Sequence, residues 1–371
     1  MQHVVVQIPC PKEGEILLKV EATSINPIDW KLQKGMMRPF LPPKFPFIPG
    51  VDVAGEIIEV GDERTDFKQG DKVIAMLNLP KSGGLAEYAV APVTLTVPRP
   101  SELAPAEASG LPTAAVIALQ ALKTAGVEFD GRNISSNTLI TAASGGVGHY
   151  AVQLAKLAGL HVTATCGSRN MELVKSLGAD EVLDYKKPAG AKLRSPSGKK
   201  YDTVIHCATW ISWGTFEANL SAEGKVIDIS PSFRSMFTSL CRRVMMSKKK
   251  LVTLLLEPKV EDIKFVVELA KEGRLRTFVD SKYGLEKAEE AWAKSMSGRA
   301  TGKVVVEMSK SSDPDARISD YFDVAVGTDI EDAFAAMLFP TAVASVRFFS
   351  NDNTCCIIAD HEIGKAPLVG N

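Results

Sequence analysis

The 371-residue sequence predicts an α/β protein, a doubly wound parallel sheet joined to a β-rich, barrel-like domain. Three observations carry that expectation. From Asn137 to Gly273, short β-branched runs alternate with helical stretches through short links, the pattern of a parallel sheet covered by helices. The first run of that region breaks into Ser144-Gly145-Gly146-Val147-Gly148 just before a helix. Ahead of it, Glu15 to Pro98 reads as β-branched runs cut by Gly, Pro and Asp turns.

Taken in order, "EILLKVEAT", "VAGEIIEVG", "DKVIAML" and "LAEYAV" are the strands of the β-rich part. "APAEASGLPTAAVIALQALKTAG" is Ala- and Leu-rich with few breakers and reads as helix. Then follow "NTLITAA" (strand), "GHYAVQLAKLAG" (helix), "HVTATC" (strand), "NMELVKSLGA" (helix) and "DEVLDY" (strand). "YDTVIHCA" (strand), "WGTFEANL" (helix), "GKVIDIS" and "LVTLLL" (strands) and "VEDIKFVVELAKEG" (helix) complete the alternation. The stretch from Arg276 to Met308 returns to strand, helix, strand, and "SKSSDPDARISD" after it reads as a linker.

Composition narrows the function classes. Apolar residues make up 45% and charged residues 23%, as in a soluble enzyme or binding protein, and a net charge of −1 gives no global field for nucleic acid. Six cysteines without C-x-x-C spacing suit reduced thiols and show neither a disulfide framework nor a zinc cage. The first twenty residues lack an apolar core or an Arg/Ser-rich, acid-poor stretch, so no cleaved targeting peptide is expected. No apolar run approaches the roughly 20 residues that span a bilayer.

The glycine cluster sits between a strand and a helix. Glycines there let the backbone approach a pyrophosphate, whose charge the helix N-terminus and free N–H groups stabilise. Dinucleotide sites for NAD end their second strand on Asp or Glu, which accepts hydrogen bonds from the ribose hydroxyls. Here that region reads Cys166-Gly167-Ser168-Arg169. A carboxylate would repel a 2′-phosphate, whereas a hydroxyl and an Arg fork bind one, so NADPH is favoured over NADH. Arg169 alone would read equally well as the solvated start of the next helix; the glycine context tips the balance.

Several linked motifs then resemble one family: "SINPIDWKLQKG", "FPFIPGVDVAGEIIEVG", "GGLAEYAV", "AASGGVGHYAVQLAK", "KSLGADEVLDY" and "RATGKVVVE". From about His3 to Glu307 the chain resembles the quinone-oxidoreductase-type members of the medium-chain dehydrogenase/reductase superfamily, and among them the plant chloroplast-envelope branch. The resemblance implies a GroES-like catalytic domain (residues 1–102 and 272–309) around a Rossmann NADPH-binding domain (103–271), with 310–371 an unassigned appendage. It implies NADPH-dependent reduction of quinones or of the activated C=C bond of enones. It also implies a homodimer paired through the Rossmann sheet edge and a peripheral place at the chloroplast envelope, or otherwise the cytoplasm.

Residues carry over where motifs match. Gly145, Gly146, Val147 and Gly148 would line the pyrophosphate; Ser168, Arg169 and Tyr185 would surround the adenosine phosphate. Lys31 resembles a lysine that reaches the cofactor, and Arg299 a residue at the domain seam. Asn26 and Lys31 are the candidate donors to a developing enolate, with Asp29 orienting their loop. The zinc-dependent relatives hold their metal where this chain has Asn26, Val51 and Asp52, so no metal site is expected.

Two departures from the family stand out: an initial strand of the form "MRALQY" is absent, which would leave a barrel edge unpaired, and Ile117 replaces a Thr near the cofactor. They motivate a second reading, a catalytically weak or inactive dinucleotide-binding protein with a regulatory, membrane-surface or RNA-binding role. "CRRVMMSKKKLVTLLL" fits either a surface for anionic lipid or a solvated helix face before a buried strand. Trp210 and Trp213 would wall an apolar pocket or pack in the core. Cys355, Cys356 and His361 lack metal-ligand spacing.

Overall fold

Two sheets and the helices between them organise the chain in a computed structural model, which describes residues 6–36, 47–61, 65–129, 136–209 and 211–308. The β-rich part supplies β1 (Glu15–Ile25), α1 (Pro27–Gln33), β2 (Asp52–Val60), β3 (Lys72–Met76), β4 (Tyr88–Pro92) and β5 (Thr96–Pro98). Next come α2 (Pro105–Ala108) and α3 (Pro112–Thr124). The alternating region runs β6 (Asn137–Ile140), α4 (Gly148–Leu157), β7 (His161–Cys166), α5 (Met171–Ser176), β8 (Glu181–Asp184) and α6 (Pro188–Ala191). It continues with β9 (Tyr201–His206), α7 (Trp213–Glu217), β10 (Leu220–Asp228), α8 (Phe233–Val244), β11 (Lys250–Thr253) and α9 (Val260–Lys271). The chain then returns through β12 (Val279–Gly284), α10 (Ala288–Met296) and β13 (Lys303–Glu307).

The second sheet has the order β11-β10-β9-β6-β7-β8 with every pair parallel. The order reverses beside β6, so β6 and its neighbours open a crevice at their carboxyl ends, where ligands of doubly wound sheets bind. The first sheet runs β12-β13-β1-β2-β3-β5, with β4 also on β1. β13 lies antiparallel to β1, so the last described strand closes onto the first. β1 pairs with β2, β4 and β13 and is not an open edge.

The single helix expected over Ala104–Gly126 is two. Pro112 has no N–H to continue a helix from α2, but its fixed φ suits the first position of a new one, and α3 restarts there. α3 is buried nearly all round, which is why its sequence shows little amphipathic pattern. Leu111, Leu119 and Leu122 join Ile74 and Met76 of β3 to Ile140 and Ile205 of the parallel sheet in one core cluster. That shared core fixes the β-rich sheet against the open crevice. The predicted appendage, with Cys355, Cys356 and His361, and Trp210 lie outside the described residues.

Candidate active site

The glycine turn follows β6 and opens α4, as expected. A Cβ at Gly148 would overlap the Ala142 carbonyl oxygen, so only glycine lets the chain double back there. At Gly146 a Cβ would find only Gly302 O at 3.6 Å and Lys303 Cδ at 3.7 Å, so the bare backbone leaves room in the mouth of the turn. The N–H groups of Gly146 and Val147 have no acceptor among the described residues. Half-exposed, unpaired donors at a helix N-terminus are what a pyrophosphate needs, and the turn fits a dinucleotide.

A strap from the other sheet crosses this turn. Gly302 N–H donates to Ser144 O (2.8 Å), and Asn170 Nδ2 donates to Ser144 Oγ (3.0 Å) and Thr301 Oγ1 (3.1 Å). Arg169 Nη2 donates to the Arg299 carbonyl (2.8 Å), which brings those two expected residues together at the seam. Ser168 and Arg169 are exposed beyond β7, and the exposed Tyr185 ring lies beside Gly167, 3.6 Å from where a Cβ would stand. Lys186 places its ammonium 5.9 Å from the Tyr185 ring centroid, a cation that sequence reasoning missed. Asp184, the register partner of Cys166, is buried and accepts the Lys186 N–H (3.0 Å).

Asn26 is placed differently from the donor expected. It caps α1 and is buried, and its amide donates to Asp52 Oδ2 (2.8 Å) and to Ser24 O (3.3 Å). Both amide hydrogens are thereby used and none faces a substrate. Its Oδ1 accepts from the Lys303 ammonium at 2.6 Å. Asp52 is wrapped by Thr113 N–H (3.1 Å), Thr113 Oγ1 (2.6 Å) and Ser24 Oγ (3.3 Å), with Lys303 Nζ at 4.0 Å. Burial pushes the Asp52 carboxyl up and the Lys303 ammonium down, each opposed by the other's charge. Asp29 accepts from Asn26 N–H (2.7 Å) and Gly50 N–H (3.3 Å); burial, with the Asp52 charge adding, pushes it up to about 7.

This cluster occupies the position of Asn26, Val51 and Asp52, and its donor set does not suit zinc. It offers two carboxylates, Asp52 and Asp29, whose oxygens already accept hydrogen bonds, no thiolate or imidazole, and a lysine cation in place. Among the described residues no group of three His, Cys, Asp or Glu side chains could hold a metal.

Lys31 is half-buried on α1, and its ammonium, lowered by burial, is opposed by the charge of Asp228 at the carboxyl end of β10. The Lys31 ammonium thus lies within electrostatic reach of Asp228, and it sits 5.8 Å from the Trp30 ring centroid. Asp228 is the register partner of His206, and Thr141 Oγ1 lies 3.0 Å from His206 Nδ1. Thr141 Oγ1 already accepts from Cys207 N–H (3.0 Å) and Ala208 N–H (3.2 Å), so its proton is given to Nδ1 and the His206 hydrogen sits on Nε2. Burial holds His206 below its usual value, opposed by the charge of Asp228. Ile117 is half-buried in α3. Trp213 packs against the core beside Leu220 and under the Arg242 guanidinium, 4.6 Å from its ring, and so takes the core-packing alternative.

Known proteins share this fold. Residues 12–101 match the alcohol dehydrogenase GroES-like domain and residues 177–306 the zinc-binding dehydrogenase family. Over 308 residues the chain is 61% identical to a chloroplast envelope quinone oxidoreductase homolog of Arabidopsis thaliana, covering 83% of this chain and 94% of that one. The chain belongs to the quinone-oxidoreductase branch of the medium-chain dehydrogenases/reductases.

Within that family it is also 32% identical over 314 residues to an NADPH-dependent alkenal/one oxidoreductase of Arabidopsis thaliana, covering 81% of this chain and 73% of that one. The solved quinone oxidoreductase of Coxiella burnetii superposes with a TM-score of 0.70 at 27% identity, over 82% of this chain and 93% of that one. The medium-chain dehydrogenase/reductase fold expected from the sequence is thus the fold observed. The family places a nicotinamide-dinucleotide fold and oxidoreductase chemistry on this chain. Lys303, Asp228, His206 and Lys186 were missed because each sits at a strand end or turn with no spacing signal of its own.

Proposed function

We propose that the protein is a zinc-independent, NADPH-dependent oxidoreductase that reduces quinones or the activated C=C bond of α,β-unsaturated carbonyls. The observation that carries this reading is the convergence of Ser168, Arg169 and Tyr185, with Lys186, where β7 and β8 end, and a run from 167 to 170 without a carboxylate. A hydroxyl and two cations stabilise a 2′-phosphate dianion and offer nothing that favours a bare ribose. Gly145, Gly146, Val147 and Gly148 would hold the pyrophosphate, and Arg299 the seam beside it. Residues 1–102 with 272–309 would act as the catalytic domain and 103–271 as the cofactor domain.

When bound, the nicotinamide supplies hydride to the electrophilic carbon of the acceptor. The chain itself supplies position and charge. Lys31 offers an ammonium to the acceptor's carbonyl oxygen, where negative charge develops. Asn26, with its hydrogens engaged, braces Lys303 and the α1 turn that carries Lys31. No side chain is assigned as the proton donor to carbon; solvent fills that role. The names of the relatives, a quinone oxidoreductase homolog and an alkenal/one oxidoreductase, support the acceptor class.

A homodimer through the edge of the parallel sheet and a peripheral place at the chloroplast envelope belong to the same reading. α8 supports the second: Phe237 (68% exposed) and Leu240 (58%) face outward near Arg242, and Met245 (76%) and Met246 (88%) follow it. No helix of the described residues is long and apolar enough to cross a membrane.

The test is NADPH oxidation against short and long enones and simple quinones, with and without a chelator. Turnover of at least one acceptor, unaffected by chelation, is the expected result. Tight NADPH binding without turnover of any acceptor would instead favour the non-catalytic dinucleotide-binding role.

A further inference from the structure

A second concavity lies away from the cofactor turn. It has a volume of about 690 Å³ and is lined by residues of the α6–β9 connection and of α7. Lys199 and Lys200 directly precede β9, and Ala218 and Asn219 directly precede β10, so the cleft sits at the amino edge of the parallel sheet. The cofactor turn is at the opposite, carboxyl edge.

Four lining residues are cations, Lys192, Arg194, Lys199 and Lys200, and none is an acid. None of the four forms an ion pair with a described residue. The segment that carries them, Lys186 to Lys200, contains six cations and no acid in a chain of net charge −1. Such a cluster repels itself unless an anion neutralises it.

The walls are built, not loose. Leu193 is buried at 2% exposure in a left-handed conformation (φ 55°) that a leucine adopts only under strain, and the turn sends Lys192 and Arg194 on either side of it into the cleft. Ser195 Oγ (2.6 Å) and Ser197 N–H (3.1 Å) both donate to Glu181, fixing the next turn. Asn219 Nδ2 donates to Lys192 O (2.8 Å), and Lys200 Nζ to Ala218 O (2.6 Å), which ties the two walls together.

We propose that this cleft binds a small polyphosphate-bearing molecule. Its volume is within the range of small-ligand sites rather than that of a stripe for a polymer. Four cations without an ion-pair partner among the described residues match a ligand of several negative charges, and an Arg fork among hydroxyls matches tetrahedral phosphate oxygens. The site is independent of the reductase reading.

Calorimetric titration of the full chain with sodium triphosphate at low salt, with NADPH saturating, tests it. Binding is expected to weaken by about tenfold or more in the Arg194→Ala/Lys199→Ala double variant and to fall with added salt, while Arg169→Ala leaves it unchanged. Both cleft residues are exposed, so the melting temperature is expected to stay the same. Three results would each overturn the proposal: no triphosphate binding, binding that the double variant leaves intact, or binding lost only with Arg169→Ala. Association with phosphatidylglycerol vesicles in the absence of triphosphate binding would also overturn it, assigning the charge to a membrane surface.

Discussion

At the residue scale, the proposed preference for NADPH rests chiefly on one guanidinium. Arg169 is exposed and donates a single hydrogen bond to the Arg299 carbonyl, which leaves most of its fork for a phosphate. A charge-assisted contact of this kind contributes about 1.5–3 kcal/mol, or roughly ten- to a hundredfold in affinity. Arg169→Ala is therefore expected to erase most of a preference for NADPH over NADH, measured by fluorescence titration with both cofactors. Equal affinities in the unaltered protein would contradict the reading of Ser168 and Arg169. The same residue was legible in the sequence because an absent acid is visible at a strand end. The engagement of Asn26 was not, since nothing in "SINPID" reveals a lysine 277 positions later.

At the element scale, the turn into α4 separates fold from binding. Gly148→Ala forces a Cβ onto the Ala142 carbonyl, and a backbone shift costing about 1–3 kcal/mol is expected as a lower melting temperature. Gly146→Ala meets only ordinary contacts at 3.6 and 3.7 Å, so stability is expected to hold while cofactor affinity falls as the mouth fills. α4 is also clamped to the chain before β12. His149 Nδ1 donates to Gly145 O (2.9 Å), leaving Nε2 to accept the Phe278 N–H (3.3 Å), and Gln153 exchanges hydrogen bonds with Arg276 in both directions.

Burial pushes His149 from 6.5 down to about 4, with the Lys303 charge adding to the effect. Between those values the unfolded chain takes up a proton that the folded one refuses, so the His149 contribution is lost as pH falls through that window. Roughly 3 kcal/mol is involved. Melting curves from pH 7 to 4 are expected to fall less steeply for His149→Gln than for the unaltered protein. Asp29, whose raised value has the opposite sign, is common to both proteins and cancels in the difference.

At the scale of the whole molecule, the two sheets meet at Lys303. Its stem lies beside Gly146 of the cofactor turn and its ammonium reaches Asn26 and Asp52 of the β-rich part. Lys303→Met would strand a buried carboxylate, at a cost of about 3–5 kcal/mol. Adding Asp52→Asn is expected to restore part of that stability, and strictly additive losses in denaturant titration would show that the pair is uncoupled. Residues 310–371 follow β13, and truncation after Ser309 is expected to leave NADPH affinity unchanged. Lost affinity in that titration would make the appendage part of the catalytic unit.

The sequence by itself determined the alternation of strands and helices, the glycine turn and the missing acid after β7. These are local signals: hydrophobic period, turn chemistry and the residue at a strand end are all read within a few positions. It misjudged the break at Pro112, because the buried α3 has no amphipathic contrast to mark where it begins. Tertiary structure alone decided that Lys303 supplies the cation beside Asn26 and Asp52, that Asn26 has no hydrogen left for a substrate, and that Lys31 feels the charge of Asp228. Those partners lie on different elements, and a buried polar group finds its partner wherever packing brings one within reach, at any distance along the chain.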